Sequence, residues 1–409
     1  MRPSSGLPTR RSSDYLLLLA IRACRAFGFG VSAVLIGILL RDRGLSAGLI
    51  GLTLSLGLFV GSLSSIGLAL LASRVGRRSS LALSGLLMAV AGLDLAFAAP
   101  AWLLMLAGGT GMLGAASIDL GPFAAVEQAL LAESVAPSRR NVAFARYAMA
   151  GALAAAGGSL AATLGTDTVH LQLLFLLYAA LGVATAMLPW RLSEAVEAPA
   201  PGPILHRENV KPIAGLSALF ALDAFGGGFV VTAVIAYWLA VRYGAGSGVL
   251  GPAFAAMALV QALSYEVSGR LANRVGLVRT MVITHLPSNV LLVLVPFSPS
   301  LPVAVALLIA RFSISQMDVP ARQAYVVSIV SPAERAGASA VTNAVRGVAQ
   351  AFGPVLAGMA IQGAAVGLPF VIAGGIKGVY DVALYRAFRH RRGEHEMPRD
   401  PVAAAQPPG

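Results

Sequence analysis

The sequence predicts an all-α membrane protein with twelve spanning helices in two pseudo-symmetric six-helix halves. Three observations carry that expectation. The 409 residues are 57% hydrophobic and only 12% charged, with a mean hydropathy of +0.78. A soluble domain carries about 25% charged residues. Next, a short basic turn, Ala69-Leu-Leu-Ala-Ser-Arg-Val-Gly-Arg-Arg78, returns two hundred residues later as Gly269-Arg-Leu-Ala-Asn-Arg-Val-Gly-Leu-Val-Arg279. A repeat at half the chain length implies two homologous halves. Finally, twenty of the thirty Lys and Arg residues fall on one side of the predicted spans, and only Arg41, Arg43 and Arg242 on the other. That bias places the richer side in the cytoplasm.

Crossing the hydrocarbon core takes about 20 apolar residues. Such runs occur at 14–40, 46–72, 79–98, 101–132, 141–165 and 170–190, then at 212–241, 248–271, 278–296, 302–330, 336–362 and 367–388. The expected organisation is a cytoplasmic N-terminal tail (1–13), an N-terminal half (14–190), a cytoplasmic linker (191–211), a C-terminal half (212–388) and a basic, disordered cytoplasmic tail (389–409). The first apolar run is too long for the core of a cleaved signal peptide. A second internal match, Ala136-Pro-Ser-Arg-Arg140 with Ser331-Pro-Ala-Glu-Arg335, sets Gln128 on Gln323 and Gly158 on Gly353. The single cysteine, Cys24, excludes a disulfide framework. The net charge of +12 is dispersed between apolar runs, which fits topology rather than nucleic-acid binding.

A charge inside a span costs about 2.5–3.5 kcal/mol on insertion scales, so it tends to face the bundle interior and a partner. The N-terminal half has Arg22, Arg25, Asp94, Asp119, Glu127 and Arg146; the C-terminal half has Asp223, Glu266, Arg311, Asp318, Arg322, Arg346, Lys377 and Asp381. By depth, Arg22 or Arg25 should pair with Glu127. Asp119 precedes Gly121-Pro122, and Asp318 precedes Pro320; helix breaks of this kind build binding sites in transporters. Asp318 and Arg322, four apart, share a face. Glu127 aligns with Arg322, so the halves offer opposite charges, a latch or a charged wall; the plainer reading is ion pairing between packed helices. Lys377 and Asp381 read as a pair within the last helix, and His285 as filler. Arg146 and Glu266 snorkel at span ends. The run Gly226-Gly227-Gly228 after Asp223 implies a break in the seventh span. Tyr147, Tyr237, Trp238 and Tyr265 are either cavity-lining or interfacial. A coupling proton is placed at Asp119, Asp223 or Asp318. No phosphate-binding loop or His/Cys cluster is present in the sequence, so no cofactor, metal or catalytic role is expected.

Twelve spans, a central linker and the basic turn after the second span of each half resemble the major facilitator superfamily, in its bacterial members. The family's turn reads Gly-x-Leu-Ala-Asp-Arg-x-Gly-Arg-Arg, against Ala69, Leu71, Ala72, Ser73, Arg74, Gly76, Arg77 and Arg78 here, and Gly269, Leu271, Ala272, Asn273, Arg274 and Gly276 in the second copy. The resemblance implies a gating role for Ser73, Arg74, Gly76, Arg77, Arg78, Asn273 and Arg274. In the family the aspartate caps a neighbouring helix and joins a charge network; Ser73 and Asn273 cannot balance an arginine. The fourth span, Ala107–Gly114, lacks the arginine of efflux-type members, and Gly157-Gly158-Ser159 lacks the antiporter's proline, whereas Gly353-Pro354 keeps one.

The resulting expectation is a monomeric secondary transporter of the inner membrane, both termini cytoplasmic, moving a small organic solute by alternating access with a proton, in the export direction. The alternative is import of a small anionic nutrient or vitamin held by Arg22 or Arg25; a non-transporting sensor or assembly partner of the same fold is the third reading. The expected pathway residues are Arg22, Arg25, Asp119, Glu127, Gln128, Asp223, Asp318, Arg322 and Gln323.

Overall fold

A computed structural model describes residues 7–97, 100–114, 123–135, 140–197, 205–275, 277–331, 334–363 and 365–388. Helices dominate: α1 (Leu7–Asp42), α2 (Ala47–Val75), α3 (Arg77–Phe97), α4 (Ala101–Gly109), α5 (Ala124–Ser134), α6 (Arg140–Ala161) and α7 (Thr168–Met187) form the first half. The second half holds α8 (Arg207–Gly228), α9 (Thr232–Tyr243), α10 (Ser247–Val275), α11 (Leu277–Leu294), α12 (Leu301–Ser315), α13 (Asp318–Ser328), α14 (Arg335–Gln362) and α15 (Leu368–Phe388). Ten segments are individually long and apolar enough to cross a membrane. The fourth span (α4 with α5) and the tenth (α12 with α13) complete the twelve. The seventh is split into α8 and α9.

The three broken spans follow from local chemistry. The fourth departs from helix at Thr110–Gly114, where Gly111 and Gly114 take φ of 70° and 65° that a side chain disfavours. Backbone freed in a membrane needs internal partners. Here Ser32 donates to the Leu113 carbonyl at 2.5 Å, and the Tyr178 hydroxyl donates to that of Met112. The expected interruption at Gly121-Pro122, and Asp119 with it, lie outside the described residues. In the seventh span the Gly226–Gly228 run ends α8 as expected. The tenth breaks at Gln316–Met317, ahead of Asp318 rather than at Pro320. Pro320 is the third residue of α13, where its missing N–H has no helical partner to lose. Ser268 donates to the freed Met317 carbonyl.

The two halves pack by the same device. A Cβ added to Gly158 of α6 would lie 1.9 Å from the Phe27 carbonyl oxygen of α1. One added to Gly353 of α14 would lie 2.1 Å from the Gly228 carbonyl carbon of α8. The aligned glycines therefore set equivalent close crossings, as small residues do between membrane helices. Across the halves, α2 packs on α14 and α6 on α10. The outer pairs α3–α7 and α11–α15 flank this four-helix seam.

On the face where α1 begins, the linker straps the first half. Glu197 accepts the backbone N–H groups of Arg77 at 2.6 Å and Arg78 at 3.0 Å, Arg77 bridges to Glu133 at 2.6 Å, and Asp14 accepts the Ser193 N–H at 2.8 Å. A linker carboxylate thus caps α3 where the family turn has its own aspartate. Gly76 makes the turn with φ 93°, and Arg74 is exposed. The side chains of Ser73, Asn273 and Arg274 lie outside the described residues.

The helix α8 starts at Arg207, inside the stretch expected as linker. Its start is held by Glu334, which accepts the His206 N–H at 2.6 Å and the Asn209 amide at 2.8 Å. Hydrogen bonds from Ser331, and then from His206 and Asn209, pull the Glu334 carboxyl down to about 2. Its stabilisation is complete above the ordinary glutamate value and disappears as pH falls through about 2. Amide exchange in the first turn of α8 is expected to accelerate over that acid window in the wild type. In Glu334→Gln it should be fast already at neutral pH.

Candidate functional site

Two polar clusters are buried in the bundle, one in each half. In the first half, Arg25 makes two parallel bonds to Glu127, at 2.6 and 2.7 Å, and the two side chains are 1% and 0% exposed. The Tyr147 hydroxyl donates to the same carboxylate. Arg25 also stands 3.3 Å over the Phe123 ring, and Arg22 4.5 Å over that of Tyr147. The predicted pairing with Glu127 is thus made by Arg25. Arg25 and Glu127 neutralise each other in a bidentate pair, the strongest ion-pair geometry available to these side chains, and Arg22 adds a second buried cation to the cluster.

The second half differs. A cavity of about 140 Å³ opens between the helices α8 to α15, with His285 of α11 in its lining. Its wall carries four cations, Arg311, Arg322, Arg346 and Lys377, against two carboxylates, Asp223 and Asp318. Lys377 reaches Asp223 at 2.5 Å; Arg322 bonds to Asp318 at 2.6 Å and lies 3.8 Å from Asp223. Those contacts use both carboxylates. Arg311 is 5% exposed, and among the described residues no carboxylate lies within ion-pair distance of it or of Arg346. The Nε atoms of both, with Gln350 Oε1 and Ser315 Oγ, are buried without hydrogen-bond partners. Isolated buried charge is expensive. The first turn of α9, uncapped by any side chain at Val231, lines the same space and adds the positive end of a helix.

A second, apolar chamber of about 70 Å³ lies between Phe29, Ala33 and Ala152 of the first half and Met257 of the second, sharing Thr232, Gln261 and Phe312 with the polar one. The polar chamber is lined by the second half alone and the apolar one by both halves. Contacts join the halves on both faces. Towards the α1 start, Asn343 donates to Gln128 at 3.0 Å, and a small pocket there also holds Gln323 and Arg346. At the opposite face, Ser247 bonds to the Gly165 carbonyl and Gln362 to the Gly48 N–H, both at 3.1 Å.

Several expectations are corrected by this geometry. Lys377 does not pair with Asp381 along α15; it crosses to Asp223, because α8 packs on the same face. His285 is not filler: it is 4% exposed, with Nδ1 2.8 Å from Asp381 and Nε2 3.5 Å from Asp223. Glu127 and Arg322 are each paired within their own half, so the halves meet through Gln128 instead. Tyr147, Tyr237, Trp238 and Tyr265 are buried rather than interfacial. Asp223, Asp318 and Arg322 line the polar chamber, whereas Gln128 and Gln323 lie in the small pocket towards the α1 start. Arg311, Arg346, Gln350 and Lys377 join the polar chamber; the signal in the sequence that could have found Arg311 and Arg346 is that neither has a carboxylate one turn away.

Known proteins place the fold. Residues 18–223 and 216–407 each match the Major Facilitator Superfamily. The chain belongs to that family of membrane transporters and is a transporter rather than an enzyme. It is 25% identical to an uncharacterized membrane protein of Saccharomyces cerevisiae, over 91% of this chain and 93% of the yeast protein. Among solved structures, the human organic anion transporter MFSD10 superposes with a TM-score of 0.70 at 15% identity, covering 91% of this chain and 99% of its own. The nucleoside transporter NupG gives 0.68 at 14% (92% and 100%), and a D-xylose–proton symporter 0.68 at 16% (91% and 97%).

Proposed function

We propose that this protein moves a small organic anion across the cytoplasmic membrane by alternating access, as a monomer with both termini in the cytoplasm, driven by a proton travelling with the anion. One observation carries the substrate class: the cavity wall has four cations against two carboxylates, and Arg311 and Arg346 are left without an anionic partner. An anion of one or two charges supplies what the wall lacks. Of the sequence-based expectations, this supports anion import over drug-like export, and it moves the anion from Arg22 and Arg25, next to the neutralised Glu127, to the second half. The apolar chamber on the first-half side accommodates the rest of the solute. The gating reading is that the Gln128–Asn343 contact breaks when the α1-start face opens, and the Gly165–Ser247 and Gly48–Gln362 contacts when the other does. In that scheme Arg77, Arg78, Glu133 and Glu197 brace the first half so that it rocks as one body.

The test is stabilisation of the purified full-length protein. A ligand that binds only the native state adds about 2.7 kcal/mol at a hundred times its Kd. Succinate and benzoate are expected to raise the thermal midpoint, and uridine and xylose to leave it unchanged. Stabilisation by the neutral solutes alone would overturn the reading.

A further inference from the structure

His285 stands at the edge of the cavity with a carboxylate on each ring nitrogen. Nδ1 lies 2.8 Å from Asp381 Oδ1 on α15 and Nε2 lies 3.5 Å from Asp223 Oδ1 on α8. Asn289, one turn along α11, donates to the other Asp381 oxygen at 2.8 Å, and the Tyr380 ring meets the imidazole edge-on at 5.8 Å. All three ionisable groups are buried. A neutral imidazole has one N–H and an ionised carboxylate has none. With acceptors facing both nitrogens, the trio holds one more proton than two carboxylates and a neutral ring would carry.

We propose that Asp381, His285 and Asp223 share one exchangeable proton, and that its transfer to Asp223 frees Lys377 to hold the transported anion. In the transfer the Nε2–H bond breaks and an O–H bond forms on Asp223 Oδ1, while Nδ1 keeps its proton towards Asp381. Asp223 becomes neutral and releases the Lys377 ammonium, 2.5 Å away in the empty state. The net charge of the lining is unchanged by the transfer, but the ammonium loses its carboxylate partner and is left for the anion. The converse holds by linkage: an anion that draws Lys377 and Arg322 away leaves Asp223 an uncompensated buried carboxylate, which takes the proton. In the empty cavity Asp223 faces Lys377 from α15 at 2.5 Å and Arg322 from α13 at 3.8 Å, and Arg311 from α12, Asp318 from α13 and Arg346 from α14 line the same space. The sharing of the proton stands on this geometry alone; its coupling to the anion rests on the proposed function.

Nitrogen-15 NMR of histidine-labelled full-length protein in lipid nanodiscs separates the two. One resonance, absent in His285→Gln, is expected to show both ring nitrogens protonated. In Asp381→Asn the doubly protonated signal is expected to be lost, since a facing carboxylate stabilises the charged ring. A His285 ring that is neutral in the wild type, or a doubly protonated signal unchanged in Asp381→Asn, overturns the shared proton whether or not any anion binds. Adding succinate is expected to remove the Nε2 proton signal in the wild type. Succinate binding with the ring signal unchanged overturns the coupling, whereas no succinate binding overturns the proposed anion and leaves the shared-proton result standing.

Discussion

Glu127→Gln is expected to destabilise the protein by about 3–5 kcal/mol, the range found when one partner of a buried ion pair is removed. The Arg25 guanidinium, 1% exposed, would keep its charge with only a neutral amide opposite. Phe123 and Tyr147 pack against Arg25 and Glu127 and give neither a route to water. The ring under Arg25 offers a cation–π contact of only about 0.5–2 kcal/mol, too little to replace a bidentate carboxylate. Replacing both, Arg25→Met with Glu127→Leu, should recover most of the loss, because a buried pair exchanged for apolar side chains is often neutral or better. Thermal unfolding in detergent measures both. Equal stability of Glu127→Gln and wild type would mean that the pair opens to water.

Arg311→Gln and Arg346→Gln should behave in the opposite way. Each removes a cation that no described carboxylate balances. The empty protein is therefore expected to hold its stability or gain. Affinity for succinate should fall about ten- to a hundredfold per substitution, the equivalent of a charge-assisted hydrogen bond of about 1.5–3 kcal/mol. Loss of affinity with stability retained marks a ligand site; loss of both marks a packing role. Calorimetric titration and unfolding on the same preparations read the two quantities.

Much of this architecture is legible in the sequence because hydropathy and duplication are properties of the chain itself. The aligned Gly158 and Gly353 even mark the equivalent close crossings. Pairing is legible only where it is local or constrained by depth. Asp318–Arg322 follows from helical spacing, and Arg25–Glu127 from matching depths on α1 and α5. The same spacing argument fails at Lys377 and Asp381. Their partners, Asp223 and His285, sit on α8 and α11, and a buried ion pair of 2.5 Å between helices outweighs a neighbour on one face. His285 looks inert in an apolar run because both its carboxylates are about a hundred or fewer residues away, on other helices. The split of the tenth span ahead of Asp318 was likewise hidden, since Pro320 is as good a helix starter as a helix breaker.

The central claim is an anion site in the second half, and crystals of the protein soaked in bromosuccinate test it most directly through the anomalous signal of bromine. The account predicts a peak in the polar chamber within reach of Arg311, Arg346 and Lys377. A peak beside Arg22 and Arg25, or none at a saturating concentration, would contradict it.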